Sequence, residues 1–151
     1  MRNAATVLGR DEGAVLTARG SAMFFKATRA STIGVFSLME RTLPPGGRQP
    51  PPHVHMNCEE AFYVLEGEVE FSLGETTTIG RPDTFVLVPG GVVAHTFGNA
   101  GKTQARLLVI HAPAMDAYFE DLQELWSGEI PPSREDEVEL MQRHGMEPAG
   151  K

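Results

Sequence analysis

From residue 14 to residue 111 the apolar positions come in short runs, each broken by glycine, proline or a polar pair. β-Branched and aromatic residues fill these runs, which predicts strands at 14–18, 22–28, 32–43, 61–66, 69–73, 76–79, 84–88, 93–98 and 106–111. Gly67-Glu68, lying between two of them, reads as a tight hairpin loop. Gly74 and the stretches 80–83 and 99–101 mark further turns. No helical period separates the strands, so parallel βαβ crossovers are excluded. The expected fold class is all-β, an antiparallel barrel or sandwich.

In three runs the period-2 alternation disappears: Phe62-Tyr63-Val64-Leu65, Phe85-Val86-Leu87-Val88 and Leu107-Leu108-Val109-Ile110. One face of such a strand fills a barrel, and the other needs a helix, the N-terminal strands or a second subunit to cover it. A homodimer is the expectation that follows. After Pro113 the period changes. Met115, Tyr118, Phe119, Leu122, Leu125 and Trp126 follow i, i+3, i+4, i+7 spacing, which predicts an amphipathic helix closed by Gly128. Its aromatic stripe reads as a cover packed on the barrel. A second helix is expected after an N-cap at Ser133, with Glu135, Asp136 and Glu137 in its first turn, ending before Gly145. The whole chain, 1–151, thus reads as one domain with a barrel core at about 32–112 and a helical extension at about 113–147.

Composition narrows the function. Lys and Arg number 13 against 20 Asp and Glu, a formal charge of −7, with no basic run inside the acidic total. That is the wrong sign for binding a nucleic-acid backbone. No window approaches the run of about 20 apolar residues that spans a membrane. The N-terminal residues carry charge and no apolar stretch of signal-peptide length. The lone Cys58 excludes an intrachain disulfide framework. A cytoplasmic protein with no nucleic-acid or membrane partner is expected.

The chemistry concentrates on histidine. Of the five histidines, two form Pro52-His53-Val54-His55. On a strand, positions i and i+2 share a face with Cα atoms about 6.6 Å apart, so two imidazoles there can converge on one ion. Glu59 and Glu60 follow, out of parity with His55, and spacing alone leaves open which of them turns inward. If Glu60 does, Phe62 and Val64 share its face; if Glu59 does, Ala61, Tyr63 and Leu65 do. His95 offers a fourth donor at the start of another strand, with Phe97 on its face. Three imidazoles and a carboxylate suit one divalent transition metal (Fe, Mn, Ni, Co, Cu or Zn) and fit Mg or Ca poorly. His111 and His144 read as structural, Cys58 as a loop thiol and Glu59 as a solvated neighbour.

Gly47-x5-His53-x-His55-x4-Glu60-x6-Gly67 resembles the first motif of the cupins, and the segment from Pro89 through His95 to Asn99 resembles the second. Two positions depart from the pattern: three residues rather than two separate Gly91 from His95, and Asp83 stands where a glycine is usual. The resemblance covers roughly residues 32–112. It implies a small β-barrel holding a metal through His53, His55, Glu60 and His95, and it selects Glu60 as the inward carboxylate.

The layout is similar to bacterial quercetinase-like monocupins. That likeness implies a dioxygenase acting on a small phenolic or enolisable, flavonol-like compound. Glu60 would then both ligate and accept a substrate proton, with Phe62, Val64 and Phe97 lining the pocket. The alternatives are a non-redox isomerase or cyclase, and a small-molecule sensor without catalysis.

Overall fold

A computed structural model describes residues 4–149. The chain runs β1 (Ala14–Ala18), β2 (Ser21–Ala27), α1 (Arg29–Thr32), β3 (Ser37–Leu43), β4 (His53–His55), β5 (Glu59–Glu66), β6 (Val69–Leu73), β7 (Thr76–Gly80), β8 (Phe85–Val88), β9 (His95–Asn99), β10 (Ala105–Ala112), α2 (Asp116–Leu125), α3 (Arg134–Arg143) and β11 (Met146–Pro148). The strands form two sheets, ordered β1-β2-β3-β10-β5-β8 and β11-β4-β9-β6-β7. All pairings are antiparallel. This is the expected all-β class, and no helix among the described residues is long and apolar enough to cross a membrane.

The apolar runs resolve into two faces once folded. Along β10, Leu107 and Val109 are buried while Leu108 and Ile110 are partly exposed. Along β5, Phe62 and Val64 point inward with Met39, Phe71, Val69 and Phe97 to fill the space between the sheets. The outer face keeps Tyr63 accessible, and Phe85 and Leu87 on the terminal strand β8 are 60% and 55% exposed. The β5–β6 hairpin turns at Gly67, whose φ of +77° and approach to Ala105 leave no room for a side chain.

Two elements differ from the sequence expectation. The stretch 32–43 is not one strand: a helical turn, α1, precedes β3. Thr28 and Ser31 cap that turn reciprocally, and Ile33 and Gly34 leave it through positive φ. Asp116 then binds it, accepting from the Arg29 backbone N–H at 2.8 Å and from Nη1 at 2.6 Å. The second is β11, whose Met-Glu-Pro carries no strand pattern. It forms because β4 offers an open edge, with Met146 opposite His55 and Pro148 opposite His53.

The helices cover one mouth of the barrel. α2 buries Tyr118, Phe119 and Leu122, and Phe119 packs 5.9 Å from the Phe25 ring. Its helix stops at Leu125, short of Gly128. α3 starts from the expected cap, where Ser133 Oγ accepts from Asp136 N–H and Asp136 accepts from Ser133 N–H, both at 3.1 Å.

Glu137 fastens α3 to the barrel. Its side chain is fully buried and accepts from Arg19 Nε at 2.8 Å, Arg48 Nη2 at 3.0 Å and Trp126 Nε1 at 3.1 Å. Breaking such a buried pair strands a charge, whereas replacing both partners does not. Glu137→Ala is therefore expected to lose about 3–5 kcal/mol in denaturant unfolding. The double variant Arg19→Met/Glu137→Leu should lose clearly less; equal losses would refute the pairing argument.

Candidate metal centre

β4 is held between β11 and β9, with His53 opposite His95. Its two-residue period turns His53 and His55 to the same interior face, where both are buried. The run Pro50-Pro51-Pro52 leads into this short strand. From the other sheet β5 delivers Glu60, which lies opposite His111 of β10 and Val88 of β8. The turn after β4 changes parity, so Glu60 faces inward with Phe62 and Val64. Glu59 faces out and accepts from Gly90 N–H at 2.7 Å, bracing the turn before β9. Thus Glu59 has a structural task beyond being a solvated neighbour.

The extra residue between Gly91 and His95 is absorbed in that turn. Gly91 takes a φ of +73° and donates to His55 O at 2.6 Å, and His95 still opens β9. Asp83 adopts the left-handed conformation usual for glycine, φ +73°, donates its N–H to Val64 O at 2.9 Å, and accepts from Tyr63 OH at 3.2 Å. Asn99 fixes the turn after β9, donating to Leu43 O and Thr103 O and accepting from Gly101 N–H.

His53, His55, Glu60 and His95 each aim one ligand atom at a common point, all within 4.8 Å of one another. Glu60 Oε1 accepts from His95 Nε2 at 2.6 Å and from His55 Nε2 at 3.0 Å. Two backbone carbonyls hold the outer nitrogens: His53 Nδ1 donates to Pro51 O at 2.8 Å and His95 Nδ1 to Val93 O at 3.1 Å. Such contacts fix ring orientation and direct Nε2 toward the centre. His55 Nδ1 is buried without a partner among the described residues.

Sequence reasoning missed His111. Its Nε2 donates to Glu60 Oε2 at 2.7 Å, and its ring lies 5.4 Å from His55 and 5.5 Å from Phe119. Parity carried the signal: Leu107, Val109 and His111 share the inward face of β10. Arg41 was legible in the same way, through Met39 and Leu43 on β3. His144 is structural as expected, capping α3 and bonding Asp121 at 2.8 Å. Cys58 Sγ lies 3.2 Å from Glu59 O and 3.5 Å from Pro113 O. Burial and the nearby Glu60 charge push its thiol up to about 12, and Cys58 stands outside the group of four donors that converge.

The cluster opens into a narrow cavity walled by Arg41, Phe97 and His111 and closed by Tyr118 and Phe119 of α2. Of the three apolar residues expected to line it, only Phe97 does. Phe62 and Val64 lie deeper: Phe62 packs against the Phe71 and Phe97 rings at 5.2 and 5.0 Å, and both residues fill the barrel floor.

Burial, together with the nearby His95, pulls His53 down to about 3, and burial lowers His55 as well. Burial opposes ionisation of Glu60, but the adjoining His111 and the hydrogen bonds from His111, His55 and His95 outweigh it and hold the carboxyl well below its usual range. Burial also opposes protonation of His95, yet the bond to Glu60 raises it.

A cupin domain model matches residues 39–111. Over 90 residues the chain is 40% identical to germin-like protein subfamily T member 3 of Arabidopsis thaliana, covering 54% of this chain and 37% of that protein. The chain thus spans little more than a third of that relative. Its fold resembles the Cnp3 cupin domain of Schizosaccharomyces pombe, with a TM-score of 0.57, 22% identity and coverage of 65% and 67% of the two chains. KdgF from Halomonas sp. gives a TM-score of 0.62 at 16% identity, over 73% of this chain and 96% of that one. A predicted oxalate decarboxylase from Thermotoga maritima gives 0.61 at 18%, over 73% and 99%. At these identities the structural likeness carries the fold alone. Two antiparallel sheets enclosing a His-x-His, Glu and His cluster define a cupin barrel. Residues 39–111, which carry all four donors, match the cupin domain, and the fold is the cupin fold.

The site makes stability depend on acid. Between pH about 6.5 and about 3 the unfolded chain protonates a histidine that folded His53 keeps neutral. The unfolded state binds more protons there, so the metal-free protein should lose stability as pH falls below about 6.5. Glu60 adds a loss of the same sign at lower pH, while the contribution of His95 is lost as pH rises through its raised pKa. Denaturant unfolding of metal-free protein at several pH values should give a shallower acid limb for His53→Gln. Superimposable limbs would count against this account.

Proposed function

We propose that the chain is a mononuclear metal-dependent enzyme, a dioxygenase acting on a small phenolic or enolisable compound. The observation that carries this reading is the convergence of four buried donors from two sheets, three of them at the wall of a partly aromatic cavity. The donor set fits the group: three imidazoles and a carboxylate suit Fe, Mn, Co, Ni, Cu or Zn. The carbonyls of Pro51 and Val93 hold two of the rings so that Nε2 is left for an ion they would bind. His53, His55, Glu60 and His95 would hold it, and a bound divalent ion supplies a Lewis-acidic centre with positions left open for substrate.

The protein supplies the rest. Phe97, Tyr118 and Phe119 limit water around the reacting oxygen, which strengthens electrostatic interactions there. Glu60 accepts the substrate's hydroxyl proton. His111, bonded to Oε2, positions that carboxylate. Dioxygen is the oxidant and co-substrate. The same Glu60–His111 pair favours a second reading, a non-redox isomerase or cyclase, because proton transfer at Glu60 needs no oxidant.

Elemental analysis of protein purified without chelator or nickel resin tests the centre. Near one equivalent of a transition metal is expected in wild type and its loss in His53→Ala. His111→Leu should weaken metal affinity or turnover by roughly 10–100-fold. Substrate-dependent oxygen uptake on phenolic compounds supports the dioxygenase, whereas turnover under anaerobic conditions supports the isomerase. Absence of metal after reconstitution with several divalent ions would overturn both.

The site also belongs, in this reading, to a homodimer. β8 ends its sheet and exposes Phe85 and Leu87 beside their partners Tyr63 and Ala61, an apolar strip suited to a second copy. Sedimentation should give a dimer for wild type and a monomer for Leu87→Glu; a monomeric wild type would remove this part of the proposal.

A further inference from the structure

Arg41 is an unusual side chain to find inside a barrel. It is 3% exposed and lies on the inward face of β3 between Met39 and Leu43. Arg19 and Arg48 share Glu137, but among the described residues no carboxylate lies within ion-pair distance of Arg41. Its one hydrogen-bonded partner is Ser21 Oγ, which accepts from Nε at 2.9 Å. Its guanidinium carbon sits 5.2 Å from the centre of the Phe97 ring. That stacking leaves the terminal nitrogens without a partner anion.

The guanidinium borders two cavities. One is the cavity that holds His53, His55 and Glu60; the other is framed by Ser21, Leu43, Pro44 and Asn99. A buried cation with no carboxylate in ion-pair reach is costly, and the more distant Glu60 charge offsets that desolvation only in part until an anion arrives. Burial and the neighbouring Arg19 charge lower Arg41 to about 9, which still leaves it cationic at neutral pH. Nor does the metal centre supply the missing charge. Three neutral imidazoles and one carboxylate around a divalent ion leave that centre positive as well.

We infer that Arg41 anchors a carboxylate of the substrate, presented to the cavity across from the His53, His55, Glu60 and His95 cluster. This rests on the metalloenzyme reading and adds the substrate class: a compact monoanionic acid whose carboxylate meets Arg41 while its reacting oxygen faces the centre. The planar fork of an arginine matches a carboxylate in two parallel hydrogen bonds. A phosphate dianion fits less well, because Arg19, the next nearest cation, is committed to Glu137. Tyr118 OH, 3.5 Å from Arg19 Nη2, lines the same cavity and offers a further donor to the anion.

Acetate, acetamide and inorganic phosphate serve as probes, titrated into metal-free and zinc-loaded protein. The readouts are the arginine Nε–Hε cross-peaks in nitrogen-proton spectra and calorimetry, with metal content measured on the same samples. The Arg41 cross-peak, identified by its absence in Arg41→Lys, should shift saturably with acetate and stay still with acetamide. Arg41→Met should bind acetate about tenfold more weakly or worse while keeping its metal and its circular dichroism. An unmoved Arg41 cross-peak in wild type, equal acetate affinity in a folded Arg41→Met, or a preference for phosphate would overturn the inference. Arg41-dependent acetate binding in a protein that takes up no metal would sustain the anion site and overturn the metalloenzyme reading instead.

Discussion

Glu60 carries a full negative charge where water barely reaches, and isolating a carboxylate in that way would cost several kcal/mol. Three imidazole N–H groups converge on its two oxygens, and that requirement constrains much of the surrounding architecture. His55 and His95 come from one sheet, while Glu60 and His111 come from the other. The carboxylate is therefore a polar seam between the two sheets, set at the end of an otherwise apolar interior. Either sheet alone could satisfy only part of it. The same arrangement leaves the four donors already gathered, so an arriving cation replaces N–H hydrogens at the centre rather than reorganising the fold.

How much of this was legible depended on whether a local pattern carried it. Strands 5 through 10, the Gly67 hairpin and the Ser133 cap follow from β-branched runs, turn residues and a capping box, all of which are written in neighbouring residues. The His-x-His pair was legible for the same reason, since two residues of strand period decide which way both rings point. Glu60 was only half legible. Its orientation depends on a parity change in the turn after β4, and spacing cannot register that without the motif.

His111 was harder to see, because it closes an apolar run whose alternation is masked by hydrophobic residues on both faces, whereas Arg41 sits on the parity of Met39 and Leu43. β11 lay beyond any local reading. Met146, Glu147 and Pro148 have no preference for extended pairing, and the strand exists because β4 presents unpaired backbone. Nor did chemistry type suffice for Phe62 and Val64. They do face inward as the Glu60 parity requires, but at a depth where the aromatic packing leaves no open space.

The C-terminal segment belongs to the site as much as the barrel does. α2 and α3 close the cavity with Tyr118, Phe119 and Met141, and Glu137 ties α3 to Arg19 at the end of the first hairpin. β11 then runs back along β4, with Gly145 O accepting from Met56 N–H and Pro52 O accepting from Ala149 N–H on either side of the pairing. Since synthesis proceeds from the N-terminus, the strand bearing His53 and His55 leaves the ribosome long before its partner edge is made. The centre is thus completed from both ends of its motif: one edge of the strand that carries two of its donors is filled by residues far further along the chain.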